Sequence, residues 1–206
     1  MGWRLYGVRG WGSVLAEAAL AWVGAPFEFV DVEGFDEQGP ARDRLLGVNP
    51  LARVPTLVGE DGETLTESAA IMLRLAELYP TSGLAPEPSD PLRLAFLNRL
   101  MWFVSVLYPT FTYRDYPERW APDAAEQLAE RVDAFRCSLW LQFEAEVGDT
   151  QCVLGTSPLA LDIYVAAFSR RPRRAWIAAH CPKLHRIALR ADALPALAPV
   201  MARNFD

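Results

Sequence analysis

Asn49-Pro50-Leu51-Ala52-Arg53-Val54-Pro55-Thr56-Leu57-Val58-Gly59-Glu60-Asp61-Gly62-Glu63-Thr64-Leu65-Thr66-Glu67-Ser68, followed by the largely apolar run from Ala69 to Leu75, decides how this chain folds. Thr56, Leu57 and Val58 are strand formers, and Asp61-Gly62 is a two-residue hairpin signal. Thr64-Leu65 opens a return strand. Apolar side chains then recur at Ala70, Ile71, Leu73, Leu75 and Leu78, a spacing nearer the helical period than strict alternation. The stretch therefore reads strand, tight turn, short strand, helix.

Two features give it chemical content. Pro55 follows Val54 at the entrance to a strand, where a proline has no N–H for the ladder. Either it is an ordinary trans edge-strand proline, or the Val54–Pro55 bond is cis. A cis bond would turn the Val54 amide and carbonyl away from the ladder, toward a groove where an extended ligand can pair with them. Thr66-Glu67-Ser68 falls where the helix begins, and a helix start carries unpaired N–H groups and a partial positive charge. Either Thr66 or Ser68 is a plain N-cap, or the Ser68 hydroxyl and a backbone N–H hold a ligand carboxylate while Glu67 accepts from an ammonium. A peptide-like ligand with carboxylate, ammonium and amide suits both features.

Val54-Pro55-Thr56-Leu57, the hairpin, and Glu67-Ser68 opening a helix together resemble the glutathione-binding half of the glutathione transferase family, in its bacterial cytosolic type. The resemblance implies an α/β thioredoxin-like N-terminal domain over residues 1–80, a linker over 81–90, and an all-α C-terminal domain over 91–206. It implies a cis proline after Val54 and a Glu67-Ser68 pair for the γ-glutamyl group. Trp11 and Arg53 join Val54, Pro55, Glu67 and Ser68 as candidate contacts to glutathione, the expected co-substrate. The implied activity is conjugation of an apolar electrophile to the glutathione thiol. Glutathione-dependent isomerisation or ether cleavage, and a non-catalytic binding or regulatory protein of the same fold, are the alternatives. A cytoplasmic homodimer with no metal and no nucleic-acid partner completes the expectation.

The rest of the chain agrees. Its 206 residues are enough for one large or two small domains, and 51% of them are apolar. A net charge of −6 gives no support to a nucleic-acid partner. Charges and prolines interrupt the longest apolar runs, so no membrane span is expected, and residues 1–6 lack the features of a signal peptide. Cys137, Cys152 and Cys181 follow no metal or CxxC spacing and are expected to be reduced, buried thiols.

Before the deciding stretch, Trp3 to Tyr6 predicts a strand and Val14 to Val23 a helix with Leu15, Ala18, Ala19 and Trp22 on one face. Gly24 stops that helix, and Phe27 to Val32 is a second strand with Phe27, Phe29 and either Val30 or Val32 buried. Ala41 to Leu46 is a weak helix. This βαβαββα order is that of the thioredoxin-like domain. Its right-handed crossover puts the loop after the first strand beside the Pro55 loop and the last helix start.

Pro80 to Pro91 has the composition of a linker. Helices are expected from Asp90-Pro91 through Leu92 to Tyr108, from Pro122 to Val147, and as two short pieces from Cys181 to Met201. The family places a Ser one turn before the residue matched by Asp162; here Leu159 stands there. The cap is expected to have moved to Thr156 or Ser157, with Pro158 at the first helical position and Asp162 bonding backbone N–H groups.

Thiol activation needs a hydrogen-bond donor that stabilises the thiolate. Ser13, at the start of the first helix, is the leading candidate; its alternative role is N-capping. Tyr6, at the strand end, is the alternative donor, or a core residue. The cysteine of the family's cysteine-type members falls at Gly12, so chemistry through a mixed disulfide is not expected. Gly10 and Gly12 are suited to bringing backbone N–H groups near the sulfur. For the second substrate, Trp11, Tyr108, Phe111 and Tyr113 are the candidates to line an apolar cleft.

Overall fold

Alternating side chains set the centre of the first half of the molecule. In β1 (Trp3–Gly7), Trp3 and Leu5 point to one face of the sheet and Tyr6 to the other, and all three are buried. The computed structural model describes residues 2–171 and 173–205. Around β1 it forms a mixed sheet in the order β2-β1-β3-β4, with β2 at Phe27–Asp31, β3 at Thr56–Val58 and β4 at Thr64–Leu65. β1 runs parallel to β2 through the crossover helix α1 (Ser13–Val23) and antiparallel to β3, which pairs antiparallel with β4. This is the expected thioredoxin-like arrangement. Phe27 and Phe29 are only half-buried, because β2 is an edge strand; Val32, just beyond it, takes the buried place.

α1 and α3 (Ser68–Leu78) pack on each other, with Leu15, Leu20, Ile71, Met72 and Leu75 fully buried. On the other face Tyr6, Val8, Val32, Phe35, Ala52 and Val58 close a second core over Leu45 of α2 (Pro40–Leu46). α1 ends as its sequence predicts. Gly24 adopts φ 68° and donates to the Ala21 carbonyl, while Ala25 donates to that of Leu20.

The chain divides into two compact units, Met1–Glu87 with Ala191–Asp206, and Pro88–Arg190. The break falls inside the expected linker. Residues from Ala191 onward, expected in the helical domain, instead group with the first unit, because α10 (Ala198–Phe205) packs on α1.

The second unit holds α4 (Arg93–Trp102), α5 (Pro109–Asp115), α6 (Ala125–Glu146), α7 (Ala160–Phe168), α8 (Arg174–His180) and most of α9 (Pro182–Asp192). The helix expected to end at Tyr108 continues to Asp115 through a π turn at Phe103–Leu107, where the Tyr108 N–H reaches back five residues to Phe103. Pro109 explains the wider turn: it has no N–H to give and its ring crowds the preceding carbonyls. By length and composition alone the stretch Arg93–Asp115 is one helix long and apolar enough to cross a membrane, a test that a core helix also passes. In this fold its Phe96, Leu100, Phe103, Leu107 and Phe111 are core residues, with Phe103 stacked on Tyr164 and edge-on to Phe143. α8 has no counterpart among the helices expected from the sequence. Cys152 and Cys181 are buried free thiols, pushed up by burial to about 11 and about 12; Cys137 is half-buried.

The cap of α7 did not move to Thr156 or Ser157. The helix begins at Ala160, two residues after Pro158, and Leu159 is the N-cap without a capping side chain. Asp162 serves instead from inside the helix: one carboxylate oxygen accepts from the Leu159 N–H at 2.8 Å and the other from the Val153 N–H at 3.0 Å. Burial pushes this carboxyl up from 3.8 to about 6, against the lowering pull of those N–H groups.

Both the strand–helix contact at Gly7 and the buried carboxyl can be tested by unfolding. A Cβ on Gly7 would lie 2.5 Å from the Ser13 Cβ and 2.9 Å from its Oγ. Gly7→Ala should therefore lower the urea-unfolding free energy by about 3 kcal/mol or more, the upper end of overpacking costs. For Asp162, the folded state holds a proton to higher pH than the unfolded chain does. Its contribution is complete below about pH 4 and lost as pH rises through about 6. Relative to Asp162→Asn, the wild type should lose up to about 3 kcal/mol between pH 4 and pH 7. A difference that stays flat with pH would show a carboxyl titrating as it does in water.

Candidate active site

Strand register gathers the candidate residues at one end of the sheet. Tyr6 pairs with Thr56 and Leu57 with Leu65, so the end of β1, the entrance to β3 and the exit of β4 into α3 lie side by side. Three segments emerge there: residues 8–13, the loop through Pro55, and the start of α3.

The Val54–Pro55 bond is cis. Val54 precedes the β3 ladder, which begins at Thr56, and its side chain is half-buried; Pro55 is buried and Arg53 is exposed. A residue that sequence reading missed holds this loop. Asn49 is buried, and its Nδ2 donates to the Arg53 carbonyl at 3.1 Å and to Thr56 Oγ1 at 2.9 Å. Its Oδ1 accepts from the Leu51 N–H at 3.0 Å, and its carbonyl from the Ala52 N–H at 2.8 Å. These bonds keep Ala52 at φ 46°, a left-handed conformation that costs an alanine roughly 1–2 kcal/mol. Asn49 followed by Pro50 in a loop was the available signal, since asparagine readily bonds nearby backbone.

At the start of α3, Glu67 is the N-cap in extended conformation, and no side chain caps the helix. The plain N-cap reading of Thr66 or Ser68 therefore fails. Glu67 is exposed, and Ser68 is buried at the first helical position.

The loop from Val8 to Ser13 is closed from within. Ser13 is fully buried; its hydroxyl donates to the Val8 carbonyl at 2.5 Å and accepts from the Val8 N–H at 3.1 Å. Its one proton is thus directed into the loop. Gly12 rather than Ser13 is the N-cap position of α1, with no capping side chain. The Trp11 N–H donates to the Val8 carbonyl at 3.2 Å, and that of Gly10 to Asn204 Oδ1 at 3.0 Å. Among the described residues, the N–H groups of Gly12 and Ser13 have no protein acceptor. Trp11 is 39% exposed and meets Phe35 edge-on at 5.3 Å. Tyr6 lies in the core cluster under α2.

Within the helical unit, the aromatic candidates separate. Phe111 is buried against Phe168 and the Arg136 guanidinium, and Tyr108 packs on Phe168 at 4.9 Å. Tyr113 is exposed and meets Trp120 edge-on at 4.9 Å. Among the described residues, no group of three or more His, Cys, Asp or Glu is placed to hold a metal ion.

Known proteins share this architecture. Residues 13–86 match the family model described as the glutathione S-transferase N-terminal domain. The chain is 39% identical over 202 residues to the GST-like protein YncG of Escherichia coli (strain K12), covering 98% of each. It is 28% identical over 193 residues to a maleylacetoacetate isomerase of Pseudomonas aeruginosa, covering 91% of this chain and 90% of that one. The structure of a sphingomonad glutathione S-transferase complexed with glutathione superposes with a TM-score of 0.81 at 27% identity, covering 98% of this chain and all of the other. With a thioredoxin-like sheet, a cis proline loop, an uncapped α3 start and full-length similarity of this extent, the chain belongs to the glutathione S-transferase family.

Proposed function

We propose that the protein is a glutathione-dependent transferase that joins the glutathione thiol to an apolar electrophile. The observation that carries this reading is the convergence, at one sheet end, of Val54 outside the ladder, the uncapped start of α3 and the loop closed by Ser13. In this reading the γ-glutamyl carboxylate lies on the Ser68 hydroxyl and the first N–H groups of α3, where the helix dipole favours an anion. Glu67 accepts from the ammonium. The Val54 backbone pairs with the cysteinyl amide, and the exposed Arg53 flanks that segment.

The sulfur then sits at the start of α1, and the N–H of the half-buried Gly12 acts as the thiolate's donor, reinforced by the α1 dipole. The Ser13 hydroxyl, bonded to Val8, shapes the loop instead of meeting the sulfur. Tyr6, in the core, takes no part. Trp11 offers the electrophile an aromatic surface next to the thiolate.

Isomerisation is the second reading, favoured by the full-length similarity to a maleylacetoacetate isomerase. Both reactions begin with addition of the thiolate to an electrophilic carbon; in isomerisation the same thiol leaves again. We also take the active species to be a homodimer, since Leu94, Met101, Phe135 and Leu141 leave large apolar side chains exposed on α4 and α6.

Titration of the bound thiol by ultraviolet absorbance tests the assignments. Ser68→Ala should weaken glutathione binding about ten- to a hundredfold, the worth of one hydrogen bond to a charged group, and leave the thiol pKa in place. Gly12 has φ −59°, the value that a proline ring fixes, so Gly12→Pro removes one N–H while keeping this φ. It should raise the thiol pKa by about one to two pH units and lower turnover at neutral pH. Gly12→Ala keeps the N–H and should shift it less; Tyr6→Phe should not shift it. A Tyr6→Phe shift matching that of Gly12→Pro would return the role to the tyrosine. Sedimentation as a monomer at micromolar concentration would overturn the dimer. Retention on immobilised glutathione without turnover of any electrophile would favour a binding protein over an enzyme.

A further inference from the structure

Glu17 has no part in the chemistry above, yet its carboxylate is among the most completely buried charges in the first unit. It lies on α1 at 1% exposure, between Ala16 and Ala18. An unpaired carboxylate there would be expensive, and three donors compensate it. Oε1 accepts from Arg9 Nη1 at 3.3 Å and from Arg203 Nε at 2.5 Å; Oε2 accepts from Asn204 Nδ2 at 2.8 Å. Arg203 and Asn204 come from α10, nearly the whole chain away in sequence.

Asn204 passes this anchoring on to the site loop. Its Nδ2 faces Glu17 and the Val200 carbonyl, and its Oδ1 accepts the Gly10 N–H. The amide can have only one orientation, because turning it over would set its oxygen against the Glu17 carboxylate and its NH2 against the Gly10 N–H. Gly10 is at φ 76°, and a Cβ there would lie 3.2 Å from the Asn204 carbonyl oxygen, so α10 also packs directly on the loop. The loop is thereby pinned on both sides of Gly12, by Asn204 at Gly10 and by the Ser13 hydroxyl at Val8. With the Gly10 and Trp11 N–H groups taken and Ser13 fully buried, the N–H of half-buried Gly12 is the one left to face a ligand.

We propose that Glu17 and Asn204 are positioning residues of the glutathione site: through them the C-terminal helix latches the β1–α1 loop and selects which backbone N–H groups meet the sulfur. This rests on the glutathione reading given above. Neither residue touches the reacting atoms. The latch acts on the thiolate and leaves the γ-glutamyl end of the ligand alone.

The full-length protein tests it with Glu17→Gln, Asn204→Asp, Asn204→Ala and the double variant E17Q/N204D. Each single variant breaks the chain of bonds. In E17Q the new amide sets its NH2 against that of Asn204 unless Asn204 turns over; in N204D the new carboxylate faces that of Glu17; N204A removes the link outright. The double variant rebuilds the link with donor and acceptor exchanged, since the amide at position 17 donates to the carboxylate at position 204 and that carboxylate accepts from the Gly10 N–H; the bond to the Val200 carbonyl is lost in it as in N204D, its proper reference. The singles should raise the bound-thiol pKa by about one pH unit and lower kcat about tenfold at neutral pH, with the glutathione KM within about twofold of wild type. Amide exchange at Gly10, measured without glutathione, should speed up in the singles, and the double variant should recover all three readouts. Singles that titrate and turn over like wild type while Gly10 exchange rises would overturn the latch and leave the glutathione reading standing. A double variant no better than its parents would also overturn it. Wild-type protein with no bound thiolate at any pH would overturn the glutathione reading itself, and the latch with it.

Discussion

The contact between the end of β1 and the start of α1 governs the site. A Cβ on Gly7 would overlap Ser13, so the strand and the helix meet closer than any side chain permits. That closeness lets one hydroxyl bond both the N–H and the C=O of Val8. Without it the buried Val8 N–H would be left unmatched where the strand stops, a cost of about 1–3 kcal/mol, while the Val8 carbonyl would keep only the Trp11 N–H. Once Ser13 is used in this way, its side chain is a structural brace and the exposed chemistry of the loop is its backbone. In the proposed glutathione reading, activation of the thiol falls to the loop backbone, because the bonds that close the loop use the Ser13 hydroxyl.

The other two segments of the site follow a related logic. Asn49 saturates the backbone around Ala52 and Arg53 with its amide, which keeps a left-handed alanine in place without a glycine. The start of α3 is left without a side-chain cap, with Glu67 extended and Ser68 tucked in behind it. One loop is rigidified by satisfying its polar groups, while the neighbouring helix starts without a side-chain cap. A rigid loop beside a helix N-terminus, with its partial positive charge, is the setting that the proposed peptide-like anion calls for.

Substitution of one solution by another recurs in the helical unit. Without a hydroxyl at Leu159, α7 relies on Asp162 alone to accept the Leu159 and Val153 N–H groups. The start of α9 is held from a distance, by Glu144 of α6 accepting from the Lys183 and Leu184 N–H groups at 3.0 Å each. In each case a carboxylate buried or half-buried between elements replaces a local cap, which ties helix ends to the tertiary structure.

Periodicity and turn chemistry in the sequence alone determined the order of strands and helices from β1 to α3, the Gly24 stop and a hairpin around Asp61-Gly62, whose turn spans residues 60–62 instead of two residues. These depend on residues within a few positions of one another, where φ preferences and face alternation act directly. Only the tertiary structure decided that Ser13 turns its proton inward, that Tyr6 is core, that a π turn precedes Pro109, and that α10 belongs with the first unit. The Gly10–Asn204 bond joins positions 194 residues apart, and Glu17 reads on its own as a charge misplaced on an apolar helix face. A local pattern cannot state which distant donor will neutralise a buried charge; folding brings Arg203 and Asn204 to it, and only then does its purpose become visible.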